Sequence, residues 1–341
     1  MNELNVIYQF NEKYVPYAGV SMTSLLVNNT EADSINIYVL GEGLSEGSVA
    51  VIRELVEGYG RYVSFPDTAP LLARFEQMGM IPYRGAYSVY LRLFFTEIEE
   101  VSNLSGKRVI YLDSDTIVDG SLIPLVNQDL HKKSIGMVPE SIRDDYKLMI
   151  GMSSESDYYN SGVILFDVDK WIANGYPAKL ADHILNVRSS YIGDQDFLNI
   201  VCEGDIARLP VIYNYQPLHG RYTPKQYFMA YGMRGYYSDE ELSEAAGCVA
   251  IYHCYRWLGE FPWNEGNLHP FNEVFDKYLE ISPWSDLVKD KADTGVIIGI
   301  EKVLYRVLPK SVFIHIFKWA HERMLKKAEK DARVMKTNRS A

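Results

Sequence analysis

The first third of the chain alternates between two hydrophobic periods, and this narrows the fold more than any other feature. Asn5–Phe10, Ile35–Leu40 and Tyr62–Phe65 are short β-branched or aromatic runs that read as strands. Tyr17–Val27 and Ser45–Glu57 between them carry helical spacing, as does Ala86–Ile98 ahead of the next strand-like run, Val109–Leu112. Strands separated by helices predict an α/β protein with a mostly parallel central sheet covered on both faces. Further along, Ile135–Val138, Val163–Phe166 and Val249–Tyr252 read as strands. Ala207–Tyr213 holds Pro210 and reads as an edge strand. Asp169–Tyr191 reads as largely helical, Asp196–Val201 opens another helix, and polar Ser141–Asp157 reads as a surface loop or lid.

Several function classes are disfavoured at once. Gly41-Glu-Gly43-Leu-Ser-Glu-Gly47 comes near a dinucleotide fingerprint but has the wrong spacing and follows the second strand rather than the first. A net charge of −11 argues against general nucleic-acid binding. Cys202, Cys248 and Cys254 form no even framework and no metal ribbon, which fits a reducing cytoplasm. The N-terminus lacks the basic and apolar regions of a signal peptide, and no run of about 18 apolar residues is present.

The strand Val109–Leu112 delivers Asp113 and Asp115 with one small residue, Ser114, between them. Ligands of open α/β sheets sit beyond the carboxyl ends of the strands. Two unpaired carboxylates there would repel and lose solvation, a cost that a divalent cation relieves. Oxygen ligands suit Mg²⁺ or Mn²⁺ shared with substrate phosphates. Three readings follow for Asp113-Ser-Asp115: a polar turn, a haloacid-dehalogenase-type phosphatase with Asp113 as nucleophile, or a nucleotide-sugar transferase in which both carboxylates hold the metal.

Three more motifs stand in order behind it: Tyr158-Tyr-Asn-Ser-Gly162, Gly193-Asp-Gln-Asp196, and His253 closing a strand. With Asp113-Ser-Asp115 they give the chain, from about Asn5 to Trp263, a resemblance to glycosyltransferase family 8, whose bacterial members include lipopolysaccharide galactosyl- and glucosyltransferases. The resemblance implies a GT-A fold, a UDP-sugar donor, Mn²⁺ (Mg²⁺ as second choice) and retention of anomeric configuration. It implies Asp113, Asp115 and His253 as metal ligands; an imidazole beside two carboxylates favours Mn²⁺ over Mg²⁺. It further implies Asp194 on donor-sugar hydroxyls, Gln195 beside the anomeric carbon, Asp196 fixing the loop, and Arg92 near the diphosphate. Asn160, Ser161 and Gly162 would approach the sugar, while Gln9, Asn11, Tyr14 and Ser114 lie where the family binds the nucleotide. On the residues alone, Asp194 also reads as the N-cap of a helix.

The chain departs from the family at two places. Asn11 stands near a usual aspartate and Lys13 where a smaller polar residue is common, and Phe261-Pro-Trp263 lacks the usual lysine. Arg256 is the expected replacement cation. Gln216–Tyr237, rich in tyrosine and containing His219 and Arg221, is the expected acceptor wall.

Residues 1–270 are expected to be the GT-A domain, 271–295 a connecting segment and 296–341 a basic amphipathic tail. The tail carries a net charge of +7 against −18 for the rest. Ile300, Val303, Leu304 and Val307 share one helical face, and after Pro309 the pattern recurs in Phe313, Ile316, Phe317, Ala320 and Met324. Lys302, Arg306, Lys310, Lys318, Arg323, Lys326 and Lys327 occupy the other faces, so the tail reads as lying on an anionic membrane, with a helix pair docked on its own domain or on a second subunit as the alternative. The whole predicts a membrane-peripheral hexosyltransferase on the cytoplasmic face of the plasma membrane, acting on a glycan or glycolipid in cell-surface polysaccharide or lipopolysaccharide synthesis. A non-catalytic sugar-binding subunit is the other alternative.

Overall fold

The computed structural model describes residues 2–82, 86–186, 193–231, 236–292, 294–320 and 323. Among the described residues nine strands run in chain order as β1 (Glu3–Asn11), β2 (Ser34–Glu42), β3 (Tyr62–Ser64), β4 (Arg108–Asp113), β5 (Thr116–Val118), β6 (Ile135–Pro139), β7 (Tyr159–Asp167), β8 (Ile206–Arg208) and β9 (Ile251–His253). Seven form one sheet in the order β3-β2-β1-β4-β7-β6-β8, in which β7 alone runs against its neighbours. The mostly parallel sheet expected from the alternation is therefore present.

Central strands are apolar because both faces are covered. Along β4, Ile110 and Leu112 enter one core while Val109 and Tyr111 enter the other, as the period of two in a strand requires. The first core is closed by the helices Val15–Val27 and Asn272–Glu280. The second holds Phe75, Phe94, Phe95, Trp171 and Phe197. Residues 271–295, expected to connect, thus carry a helix whose Phe275, Tyr278 and Leu279 belong to the first core.

Three expectations are corrected, and a fourth, the largely helical Asp169–Tyr191, holds with a break. Ala86–Ile98 is not an α-helix but two 3₁₀ turns, Ser88–Leu93 and Phe95–Glu97. Its residues 90–95 are all buried, so packing on every side overrides one-faced periodicity. Ser141–Asp157 is not a plain loop: Asp144–Ile150 is a helix with Tyr146 and Lys147 turned inward. The Lys147 ammonium pairs with Asp144 at 2.9 Å and donates to the carbonyls of Ser154 (2.6 Å) and Ser156 (3.0 Å), which pins the polar stretch. Asp169–Tyr191 breaks at Gly175 (φ +67°) into Val168–Ala173 and Tyr176–Asn186, and Tyr191 lies outside the described residues. β8 is an edge strand as expected, but Pro210 follows its end and a 3₁₀ turn, Val211–Tyr213, comes next.

The tail is helical over Val296–Val307 and 310–320. Leu304, Tyr305, Leu308, Phe313, Ile314 and Phe317 pack on Leu218, Tyr222, Trp257 and Leu258 of the main body. The predicted stripe is split by this docking. Leu304 turns inward, whereas Ile300, Val303 and Val307 stay exposed together with Val296, Ile297 and Trp319. Met324, Lys326 and Lys327 lie outside the described residues.

Candidate active site and metal centre

Strand register assembles the site before any side chain is considered. β1 and β4 are parallel with Gln9 opposite Asp113. β7 is antiparallel to β4, so its amino end, Tyr159 to Gly162, meets the carboxyl end of β4. β6 ends against Tyr159 and Asn160, which sets Glu140 beside them. The polar ends of β1, β4, β6 and β7 therefore share one edge.

His253 arrives by another route. β9 does not join the main sheet but pairs antiparallel with β5, placing His253 opposite Thr116. Because Thr116 directly follows Asp115, this pairing delivers the imidazole to the carboxylates. Its Nε2 lies 3.3 Å from Asp115 Oδ1 and 3.6 Å from Asp113 Oδ2. One ligand atom from each of Asp113, Asp115 and His253 lies within 4.8 Å of the others. Burial opposes an imidazolium here, but Asp115 and then Asp113 outweigh it and hold His253 above its ordinary pKa. Two carboxylate oxygens and an imidazole nitrogen form a donor set that fits a divalent cation of the Mn²⁺ type.

Gly162 has a local role that the motif did not reveal. A Cβ built there would lie 2.1 Å from His253 Cε1 and 2.5 Å from its Nδ1. The glycine makes room for the His253 ring.

Arg92 is buried at the opposite side of Asp113. Its Nη1 is 2.9 Å from Asp113 Oδ1 and 3.3 Å from Asp194 Oδ2, and it donates to the Ser161 carbonyl at 3.3 Å. The guanidinium lies 4.2 Å from the Tyr111 ring, whose hydroxyl donates to Asp113 at 2.7 Å. Burial works against the charge of Arg92, but Asp113 and Asp194 raise its pKa. Gln9 is a positioning group: its Oε1 accepts from the Arg92 backbone N–H at 3.0 Å.

Asp194 begins the helix Asp194–Val201, and the N-cap is Gly193 at φ +59°. The expected capping role of Asp194 is therefore absent, and its carboxylate faces Arg92 instead. Burial pushes the Asp194 carboxyl up to about 6, with Arg92 opposing and Asp113 adding. Asp196 does fix the loop, accepting from the hydroxyls of Tyr158 (2.7 Å) and Tyr146 (3.0 Å).

Gln195 is held at both ends. Its Oε1 accepts from Ser161 N–H at 3.1 Å, and its Nε2 donates to Glu140 Oε2 at 2.8 Å. Glu140 also accepts from Asn160 Nδ2 at 3.0 Å. Burial raises its pKa, opposed by those two hydrogen bonds. Asn160 Oδ1 in turn accepts from Gly162 N–H (2.9 Å) and from Asn214 Nδ2 (2.8 Å), so the amide expected to reach sugar is engaged within the protein. Sequence reasoning missed Glu140 and Asn214. Each is a single polar residue beside a strand or turn, and no spacing rule marks such a position.

Among the nucleotide-side residues, Asn11 ends β1 exposed, Tyr14 stands edge-on to Tyr17 at 5.9 Å, and Ser114 sits in the turn between β4 and β5. Tyr17, Trp263 and Phe261 form a stack at 4.1 and 4.3 Å, and the Arg256 guanidinium lies 5.1 Å from the Phe261 ring. His219 and Arg221, expected on an acceptor wall, are engaged inward. His219 is buried with its Nδ1 accepting from Gln216 N–H at 3.2 Å, and Arg221 donates to the Leu268 carbonyl at 2.6 Å. Residues 232–235 of that stretch lie outside the described residues.

A mostly parallel sheet with one reversed strand, carrying an Asp-x-Asp turn and a converging histidine at its edge, defines a GT-A glycosyltransferase. The sequence profile of Glycosyl transferase family 8 matches residues 5–236. The chain belongs to glycosyltransferase family 8. It is 24% identical over 294 residues to the lipopolysaccharide 1,2-glucosyltransferase of Escherichia coli K12, covering 83% of this chain and 79% of that one. It is 21% identical over 296 residues to the lipopolysaccharide 1,3-galactosyltransferase of Salmonella typhimurium, covering 83% and 80%. In fold it resembles galactosyltransferase LgtC, solved with donor and acceptor sugar analogues, with TM-score 0.65, 23% identity, and coverage of 82% of this chain and 96% of that one.

Proposed function

We propose that this enzyme moves galactose or glucose from a UDP-sugar to a hydroxyl of a glycan or glycolipid acceptor, with retention, in bacterial cell-surface polysaccharide or lipopolysaccharide synthesis. The observation that carries the reading is the convergence of Asp113, Asp115 and His253 in a family 8 chain. The names of its lipopolysaccharide relatives support the hexose and the acceptor class. Asp113, Asp115 and His253 would hold Mn²⁺, with Mg²⁺ the poorer fit. A cation bound there supplies neutralising charge for a departing diphosphate.

The protein's own groups do the rest. Arg92 is a second buried cation beside Asp113. Asp194 accepts donor-sugar hydroxyls, and Gln195 lines the anomeric centre. Gln195 is a neutral amide whose oxygen already accepts a backbone N–H, so it is a poor nucleophile. Front-face attack fits better. The acceptor oxygen bonds to the anomeric carbon while the bond to the β-phosphate breaks, and the departing phosphate oxygen takes the acceptor's proton. UDP release screened over several UDP-sugars, with Mn²⁺ or with chelator, followed by anomeric analysis of the product, tests the reading. Silence with every UDP-sugar in Mn²⁺ would sink it.

Two predictions refine the donor site. Ionised Asp194 pairs with Arg92, and protonation weakens both that pair and its hold on sugar hydroxyls. Because its carboxyl titrates near about 6, kcat/KM for the donor is expected to fall as pH drops through that value and to level off above it. The pH–rate profile checks this, and Asp194→Asn should remove the acid limb along with most of the activity. Arg256 is the replacement phosphate cation, carried on Phe261. Since a hydrogen bond to a charged group is worth about 1.5–3 kcal/mol, Arg256→Ala should weaken UDP binding about 10–100-fold. Calorimetry with UDP and Mn²⁺ reads the change, and an unaltered affinity removes the assignment.

Among the described residues no helix is long and apolar enough to cross a membrane. The exposed face of Val296, Ile297, Ile300, Val303, Val307 and Trp319, with Arg306, Lys310 and Lys318 exposed or near it, supports docking on an anionic membrane surface at the cytoplasmic face. Pelleting with phosphatidylglycerol vesicles should be strong at low salt, weaker at high salt, and lost on Ile297→Glu/Ile300→Glu. Pelleting unchanged by that double substitution would discard the assignment.

A further inference from the structure

We infer that Asn214 is a positioning residue of the metal centre: with Asn160 and Glu140 it forms an amide relay that dictates which nitrogen His253 turns toward the cation. The inference rests on the metal-dependent reading above and goes beyond it by assigning residues that no motif marks. The direction of every link follows from groups that can act in only one sense. The Gly162 N–H can only donate, and it fixes the oxygen of Asn160 by a 2.9 Å bond. The carboxylate of Glu140 accepts, and it fixes the Asn160 nitrogen at 3.0 Å. Asn160 thus has one orientation, independent of how its amide was assigned.

The next link inherits that orientation. Asn160 Oδ1 accepts from Asn214 Nδ2 at 2.8 Å, so Asn214 must turn its own oxygen the other way. That oxygen lies 3.0 Å from His253 Nδ1. An amide oxygen cannot donate, so the hydrogen sits on Nδ1. In the neutral imidazole that a metal ligand requires, Nδ1 is then the donor and the lone pair is on Nε2. Nε2 is the nitrogen aimed at Asp115 and Asp113. The ring is thereby pre-set as a ligand. Hydrogen bonds of this kind orient metal-bound histidines and fix their tautomer.

The relay has a second end. Glu140 Oε2 also accepts from Gln195 Nε2 at 2.8 Å, and Ser161 N–H holds the other side of that amide. One carboxylate therefore orients both the branch leading to the metal and the amide lining the sugar. Asn214 and Asn160 are buried, which makes a mismatched link costly to leave unpaired.

The test uses the intact chain and Mn²⁺ alone, with binding read from the electron paramagnetic resonance of the free ion. Asn214→Ala is expected to weaken Mn²⁺ binding about 10–100-fold while circular dichroism stays that of the folded protein. Asn214→Asp still accepts from Nδ1–H, so its Mn²⁺ affinity should stay near wild type. Its carboxylate, however, faces the Asn160 oxygen, so turnover should fall without the loss of metal. Rescue of metal binding by aspartate but not alanine is the signature of the relay. Wild-type affinity in Asn214→Ala, or equal loss in both variants, overturns it. No Mn²⁺ uptake by the wild type would instead bring down the metal-centre reading, and the relay's role with it.

Discussion

Asp115→Asn is expected to lower kcat for sugar transfer by about 10²–10³-fold or more while leaving the fold intact. The substitution keeps the shape of the side chain and removes one of the two carboxylates proposed to hold the metal. It also removes the nearer carboxylate partner of His253, which stands 3.3 Å from Asp115 Oδ1. The structural contribution of Asp115 is its backbone carbonyl, which accepts from Cys254 N–H at 2.7 Å and survives the change. Asp113 is a less clean target. It carries Arg92 at 2.9 Å and the Tyr111 hydroxyl at 2.7 Å, so Asp113→Asn would also strand part of a buried cation's charge. Steady-state UDP release and thermal melting of Asp115→Asn decide the matter: retention of a tenth of wild-type turnover would show that the carboxylate is not a ligand.

Gly162→Ala is expected to disable the enzyme through the ring of His253. The added methyl carbon would sit 2.1 Å from His253 Cε1, inside any tolerable contact. The ring cannot easily yield, because Asn214 holds its Nδ1 at 3.0 Å and Tyr255 stands against it at 5.1 Å. β7 is held by β4 from Val163 onward and by β6 on either side of the register shift that spans Ser161 to Val163. Overpacking of this kind costs about 1–3 kcal/mol of stability. Displacing a ligand by about 1 Å costs on the order of 10²-fold in rate. The two measurements belong together. A folded Gly162→Ala protein with normal Mn²⁺ uptake and normal turnover would show that the imidazole is not needed where it lies.

How far the sequence carried depends on the distance over which each feature is specified. The strands β1, β2, β4, β6 and β7 were legible within a residue or a few, because alternating and continuous apolar runs are local signals. The acidic pair was legible for the same reason, since a strand that ends in Asp113-Ser-Asp115 marks its own polar end. The helix Asp144–Ile150 was not. Its surrounding residues are small and polar, and only packing shows that Tyr146 reaches Asp196. Ala86–Ile98 failed in the opposite way: burial on all sides erased the distinction between one helical face and the other. The tail's apolar stripe looked like one face in sequence, and docking divided it into an inward and an outward half.

The sequence by itself determined the alternating α/β architecture, the acidic pair at a strand end and the family of the chain, because each is written in contiguous residues. Only the tertiary structure decided that His253 reaches the acids through the β5–β9 ribbon, that Gly162 is small to admit its ring, and that Glu140, Asn160 and Asn214 orient it. These are matters of register and of hydrogen-bond direction between segments far apart in the chain. A periodicity read along one segment has no term for the strand that will lie beside it.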